Sequence, residues 1–211
     1  LAAGGNSTAT HERHALYYLN FAELASARLM GPGQSGGLDQ LDRELGNLRA
    51  VLDWAAERDA HEVGLRMATA LGPYWFFRGY FAEGRAWIDR WLALSSGNAE
   101  FNAWRLPALY GAAQIAREQG DYPRVATVAA ETESLARELD NALGMAQALE
   151  MQAVLLRLGG DSLGGRAVLE QALLWSRQSG DGGQIARTLS AMGNLSRELG
   201  DFPRAEIVLE E

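Results

Sequence analysis

The stretch AREQGDYPRV at 116–125 returns as SRELGDFPRA at 196–205, matching at Arg, Glu, Gly, Asp, Pro and Arg, with Tyr exchanged for Phe. Between them, LRLGGDSLGG at 156–165 keeps Arg, Gly and Asp in corresponding places. Gly120, Gly160 and Gly200 therefore recur at one fixed interval, and Arg117, Arg157 and Arg197 keep the same one. One interval back from Gly120, lengthened by a single position, stands Gly79, followed by Tyr80 and Phe81. A period of about 40 restricts the fold to stacked supersecondary units, none of which can bury its own apolar faces alone.

The residues between these marks have helical periodicity. Met145, Leu149, Ala153 and Leu156 make one apolar stripe, and Ile185, Leu189, Met192 and Leu199 make another. Gly ends a helix because it can adopt the left-handed conformation, and Asp followed by Pro suits the first turn of the next one. The GDYP and GDFP tetrapeptides are thus read as the corner between two helices. A pair of helices of about 17 residues each, with two short turns, fills the period. The expected fold class is all-α, an α-solenoid of antiparallel helix pairs.

Composition narrows the chemistry. With no Cys in 211 residues, disulfides and thiolate metal sites are excluded. All 19 basic residues are Arg, so neither a Schiff-base lysine nor a P-loop lysine exists here. A net charge of −8 with scattered Arg argues against binding nucleic acid directly, which needs clustered positive charge. No apolar run is long enough to cross a membrane and no export segment opens the chain, so the expected compartment is the cytoplasm.

Two stretches carry a family pattern. ATALGPYW at 68–75 has Leu71, Gly72 and Trp75, with Ala68 where a Trp would stand, and LSAMGNLS at 189–196 has Gly193, with Ser196 where a Tyr would stand. A small residue recurs at Gly72, Ala113, Ala153 and Gly193, where close helix approach is expected to require it. The pattern resembles tetratricopeptide repeats, in a long and degenerate form whose period exceeds the usual length of about 34. The resemblance implies a right-handed α-solenoid. The expected organisation is a disordered lead-in at 1–9, divergent helices at 10–60, and repeats at 61–95, 102–140, 142–179 and 182–211, the last one truncated.

The N-terminal third starts its first helix near Thr10, with Tyr18, Ala22, Ala25 and Leu29 on one face. The second helix carries Leu38, Leu41, Leu45, Leu48, Leu52 and Ala55 as a seam. Over residues 11–95 the chain resembles the segment that follows the nucleotide-binding and winged-helix domains of LuxR-type signal-transducing ATPases, a group of bacterial transcription regulators. The residues that carry this are Arg13, His14, Tyr18, Glu44, Asn47, Leu48, Arg49, Trp54, Gly79, Glu83, Gly84, Arg85 and Leu92. The resemblance implies a sensor arm that binds a protein, a peptide or a small-molecule inducer and governs other domains of the parent chain. The missing initial Met and the final Glu211 inside a helix lead to the expectation of a fragment.

Site candidates follow from the same reading. His11 and His14 lack the H-E-x-x-H spacing, GPGQSGG at 31–37 lacks a P-loop lysine, and the carboxylates sit beside Arg on helix faces, so no catalytic residue, metal or cofactor is expected. Eight of the 18 aromatics lie between Tyr74 and Trp91, and the run 74–77 points around most of a helix. Core burial is one explanation, and an aromatic binding pocket that includes Phe76 and Phe77 is the other. Carrying the tetratricopeptide pattern over places Arg117, Arg157 and Arg197 on the inner surface, with Tyr110, Gln114, Glu150, Arg187 and Asn194. Such an arginine ladder suits carboxylates or phosphates of an extended ligand, unless each Arg pairs with a Glu of its own or the next repeat. A binding repeat within a regulator is the expectation; a constitutive interaction scaffold is the alternative, and an enzyme a distant third.

Overall fold

A computed structural model of the chain describes the backbone of residues 3–29, 31 and 33–211, and the side chains of residues 10–29, 31 and 33–211. Among the described residues there are ten α-helices and one short 3-10 turn, Ala99–Phe101, and no strand. The helices are α1 (Ala3–Arg28), α2 (Gln34–Glu57), α3 (His61–Arg78), α4 (Phe81–Leu94), α5 (Asn102–Glu118), α6 (Tyr122–Glu138), α7 (Ala142–Leu158), α8 (Ser162–Ser179), α9 (Gly182–Glu198) and α10 (Phe202–Glu210). Helix α1 opens at Ala3, ahead of the expected start near Thr10, because extending a helix already nucleated downstream costs little. In the 31–37 connector, α2 begins inside the glycine-rich stretch, and Gln34 Nε2 donates to the Leu29 carbonyl at 3.1 Å. Pro32 of that connector lies outside the described residues, as do Leu1 and Ala2 of the lead-in.

The repeat corner is built as its residues dictate, and it recurs at half the interval seen in the sequence. Gly120, Gly160 and Gly200 are left-handed, with φ of 70°, 87° and 75°; midway between them, Asp140 (49°) and Gly180 (70°) take the same conformation. Each is followed by a capping residue: Asp121, Asn141, Asp161, Asp181 and Asp201. Their side chains accept from the backbone N–H three positions on, at 3.2, 2.8, 2.8, 2.6 and 3.3 Å. A left-handed stop and an Asx start thus punctuate the chain at every half-period from Gly120 onward, and helices of 17 or 18 residues fill the space between.

Two compact units result, residues 1–115 and 116–211. In the first, α1, α2 and α3 pack on one another and α4 packs on α3. Leu41, Leu48, Leu52, Leu65, Leu71, Tyr74, Trp75, Ile88 and Trp91 are fully buried there. The leading helices share this core with the first repeat, joined by polar contacts that cross between helices. Arg49 of α2 grips Glu83 of α4 with two hydrogen bonds of 2.7 and 2.6 Å, and Arg66 of α3 does the same to Glu23 of α1 at 2.8 and 3.0 Å. Arg105, on α5, is buried and donates to the Leu92 carbonyl at 2.5 Å and to Ser95 Oγ at 2.9 Å, placing a cation at the negative end of α4.

In the second unit α7 packs on α6 and α8, α9 on α8, and α10 on α9. One apolar cluster joins Ala153 of α7, Leu169 and Leu173 of α8, Leu189, Met192 and Leu195 of α9 and Val208 of α10, with Ile185 and Leu199 against it.

Glycine marks close approach, but not at every expected position. A Cβ on Gly193 would stand 2.6 Å from Leu209 Cγ, so α10 depends on the small residue there. Gly72, in contrast, has open space where a Cβ would lie. The crowded positions in the first repeat are Gly64, on α3, whose Cβ would come within 2.3 Å of the Trp91 ring, and Gly84, on α4, whose Cβ would come within 2.8 Å of Ile115 Cδ1 and 3.0 Å of Trp75 Cβ.

Candidate binding surface

The arginines of the repeat sit in the last turn of α5, α7 and α9, where a cation faces the helix's negative end. All three are exposed. Arg117 reaches its neighbour Glu118 at 3.2 Å, and Arg157 Nη1 reaches Glu198 Oε1 of the next repeat at 3.2 Å. Carboxylates therefore neutralise two of the three arginines. Asn194 is exposed, and Tyr110, Gln114 and Arg187 are half-buried.

The best-connected expected residue is Glu150 of α7. Thr188 Oγ1 donates to its Oε1 at 2.5 Å, Ser176 Oγ lies 2.9 Å from Thr188 Oγ1, and Gln184 Nε2 lies 3.3 Å from the same hydroxyl. Arg187 Nη2 closes the network on Gln184 Oε1 at 2.8 Å. Burial pushes the Glu150 carboxyl above its ordinary range, against the pull of Thr188, Gln184, Arg187 and Arg117. Thr188, Gln184 and Ser176 are wholly buried, and none of the three is among the residues expected from the sequence. Their signal was present: Gln184 and Thr188 each stand one position before a member of the apolar stripe, Ile185 and Leu189.

The aromatic run divides between the two explanations. Tyr74, Trp75 and Trp91 are core, whereas Phe77 remains 39% and Tyr80 43% exposed, with Phe76 half-buried between Phe77 and Phe81 at ring distances of 5.4 and 6.3 Å. Tyr74 OH donates to Asp42 Oδ1 at 2.7 Å, and Arg78 pairs with the other oxygen of Asp42. Burial and the hydrogen bond to Asp42 push the Tyr74 phenol far up. Burial opposes charge on Asp42, yet the hydrogen bonds from Tyr74 and Arg78 outweigh it and hold that carboxyl below its usual range. Nearer the start, Asn47 Nδ2 donates to Tyr18 OH and to Glu44 Oε2, both at 2.8 Å. Several residues that carry the regulator resemblance, Tyr18, Glu44, Asn47, Arg49 and Glu83, thus hold helices to one another. Among the described residues no group of three or more His, Asp or Glu is placed to hold a metal ion, and no helix is long and apolar enough to cross a membrane.

This geometry defines a class: an all-α helical repeat of the solenoid type. Solved structures agree on the fold. The chain is similar to BtubC from P. vanneervenii (TM-score 0.65, 16% identity, 95% of this chain and 88% of that one). It is similar to the apo form of RapI (TM-score 0.69, 10% identity, 90% and 67%). A Podospora anserina protein with TPR-like repeats, provisionally assigned as a kinesin light chain, gives a TM-score of 0.59 at 15% identity, over 93% of both chains. No family model matches the sequence. Curated relatives are proteins provisionally named HTH-type transcriptional regulators in Mycobacterium tuberculosis and Mycobacterium bovis, 32% identical over 82 residues. The match takes in 37% of this chain and spans only 9% of the length of those regulators.

Proposed function

We propose that the chain is a binding repeat of a larger bacterial transcriptional regulator, a sensor arm whose occupancy biases an ATP-driven switch elsewhere in the polypeptide. The observation that carries the reading is the 82-residue similarity to HTH-type regulators, of which it spans 9%, in a chain whose fold is a helical repeat. The resemblance of residues 11–95 to the segment after the nucleotide-binding and winged-helix domains of LuxR-type ATPases supports the same reading. The arm works by population shift: a ligand that contacts one arrangement better than another stabilises it by that difference in affinity. The proposed contacts are the exposed arginines Arg117, Arg157 and Arg197, with Tyr110, Gln114, Glu150, Arg187, Asn194 and the aromatics Phe76 and Phe77. The ligand is a protein or peptide, or a small-molecule inducer.

The parent reading frame tests this. A P-loop ATPase and a winged-helix region encoded upstream of Leu1 is the expected result, and a frame without either overturns the sensor arm in favour of a constitutive scaffold. With a partner in hand, Arg157→Ala is expected to weaken binding several-fold in a folded variant, while unchanged affinity would remove that residue from the surface.

A further inference from the structure

Glu150 stands in a set of hydrogen bonds with too few protons to fill it. Ser176 Oγ donates to the Ala172 carbonyl at 2.8 Å, which uses its one proton. The single proton of Thr188 Oγ1 then has three acceptors: Glu150 Oε1 at 2.5 Å, the Gln184 carbonyl at 3.0 Å and Ser176 Oγ at 2.9 Å. While Glu150 is ionised, the shortest contact claims that proton and the other two go without. A protonated Glu150 donates along the same contact instead, and returns the Thr188 proton to the Gln184 carbonyl or to Ser176 of α8. Ser176, Gln184 and Thr188 are fully buried, so bulk water does not make up the shortfall.

Two arginines oppose that proton. Arg187 of α9 and Arg117, in the last turn of α5 and within the second unit, pull the carboxyl toward its ionised form, together with the hydrogen bonds from Thr188 and Gln184. Charges on the other helices packed against α7 are engaged elsewhere. On α6, Glu133 pairs with Arg137 and accepts from Gln152; on α8, Arg166, Glu170 and Arg177 pair with Asp201, Arg204 and Glu211. Arg117 is itself paired with Glu118, so two arginines and two carboxylates cancel, and protonation of Glu150 leaves the cluster with one positive charge. Glu150 and Arg187 are half-buried and Arg117 is exposed, so a solute can reach them.

We infer that Arg117 and Arg187 bind an oxyanion, a carboxylate or a phosphate-type group, together with a proton taken up at Glu150. An oxyanion on the two arginines removes their pull on Glu150 and sets a negative charge beside it, and both changes favour the proton. Linkage makes the effect reciprocal, so the anion is held more tightly as pH falls and Glu150 is neutralised. His11, His14 and His61, the three His of the chain, belong to the first unit, so within the second unit a response below neutral pH falls to carboxyls. The inference rests on Arg117, Arg187 and Glu150 being contacts of the proposed binding surface, and not on an ATPase in the parent chain.

The experiment titrates sulfate and trifluoroacetate, neither of which changes its own charge in the range used, into the chain while carbon NMR follows the Glu150 carboxyl. Affinity for at least one of them is expected to rise about tenfold or more from about pH 8 to about pH 5, and the anion should move the Glu150 titration to higher pH. A larger response to trifluoroacetate identifies a carboxylate ligand, and a larger one to sulfate a phosphate-type group. In Glu150→Gln the change in affinity over the same range should fall below about twofold. Failure of both anions to bind at the acid end overturns the inference and these arginines as contacts with it, as does a response retained in Arg187→Gln. Binding of equal strength across the range, or a Glu150 titration that the anion does not move, overturns the proton coupling while the arginine surface stands.

Discussion

Single side chains decide more here by the room they have than by their type. Gly84 and Gly72 both belong to the first repeat, yet only Gly84 meets Trp75 and Ile115 where a Cβ would go. Gly84→Ala is expected to cost about 1–3 kcal/mol through overpacking. Gly72→Ala should be neutral or gain up to about 1 kcal/mol from helix propensity, and thermal unfolding of the two variants checks the contrast. Two carboxylates give opposite pH signatures. The Glu150 carboxyl is raised in the fold, so the folded chain holds its proton more tightly and gains stability as pH falls through the raised value toward the ordinary carboxylate range. Glu150→Gln, which can still accept from Thr188, is therefore expected to be more stable than the parent at pH 7, with the gain vanishing by about pH 4. Asp42 is lowered, so its contribution is complete above the ordinary value and is lost as pH falls through the lowered one. Asp42→Asn should be less stable at pH 7, with a deficit that shrinks in acid. Melting temperatures of both variants against pH test the pair of signs.

Helices in the second unit are set by their ends. The same stop and start recur at every half-period, and the side-chain cap at each start satisfies a backbone donor that the helix itself leaves open. Asp161→Ala is expected to cost about 1 kcal/mol and to increase exchange first in the opening turn of α8, where Gly164 N–H loses its acceptor. An equal rise throughout α7, α8 and α9 would instead place the role of Asp161 in global stability. The sequence revealed the full period because Arg, Gly and Asp recur letter for letter at alternate corners, twice with an aromatic and Pro behind them. The intervening corners escaped it, since Asp140-Asn141 performs the same task with other letters and Gly180-Asp181 runs on into Gly182 and Gly183. Asp and Asn tolerate the left-handed region better than most residues, so a shared geometry was written in varied letters.

At the scale of the molecule, two compact units suggest stability that is regional rather than uniform, as expected where repeats contact mainly their neighbours. Leu52→Ala, in the core of the first unit, should cost about 2–5 kcal/mol there. Its exchange signature should concentrate in α1–α4, with amides of α8 and α9 changed far less; a uniform increase would show that the chain unfolds as one cooperative body. This scale is also where the divergent N-terminal helices find their place. Arg49 with Glu83 and Arg66 with Glu23 bind them to the first repeat, and no spacing rule links residues 34 or 43 positions apart.

The helix class, the repeat interval and the corner chemistry were determined by sequence alone, because left-handed glycine, Asx capping and an apolar stripe at helical spacing are local properties that survive in one dimension. The Arg117, Arg157 and Arg197 series was likewise legible as a spacing, but its pairing with Glu118 and Glu198 was not. Only tertiary structure separated the open Gly72 from the crowded Gly84, sent Tyr74 and Trp75 inward while leaving Phe77 partly exposed, and gathered Ser176, Gln184 and Thr188 around Glu150. Those outcomes depend on which helix stands opposite and how closely it approaches, and that distance is fixed by neighbours from other repeats.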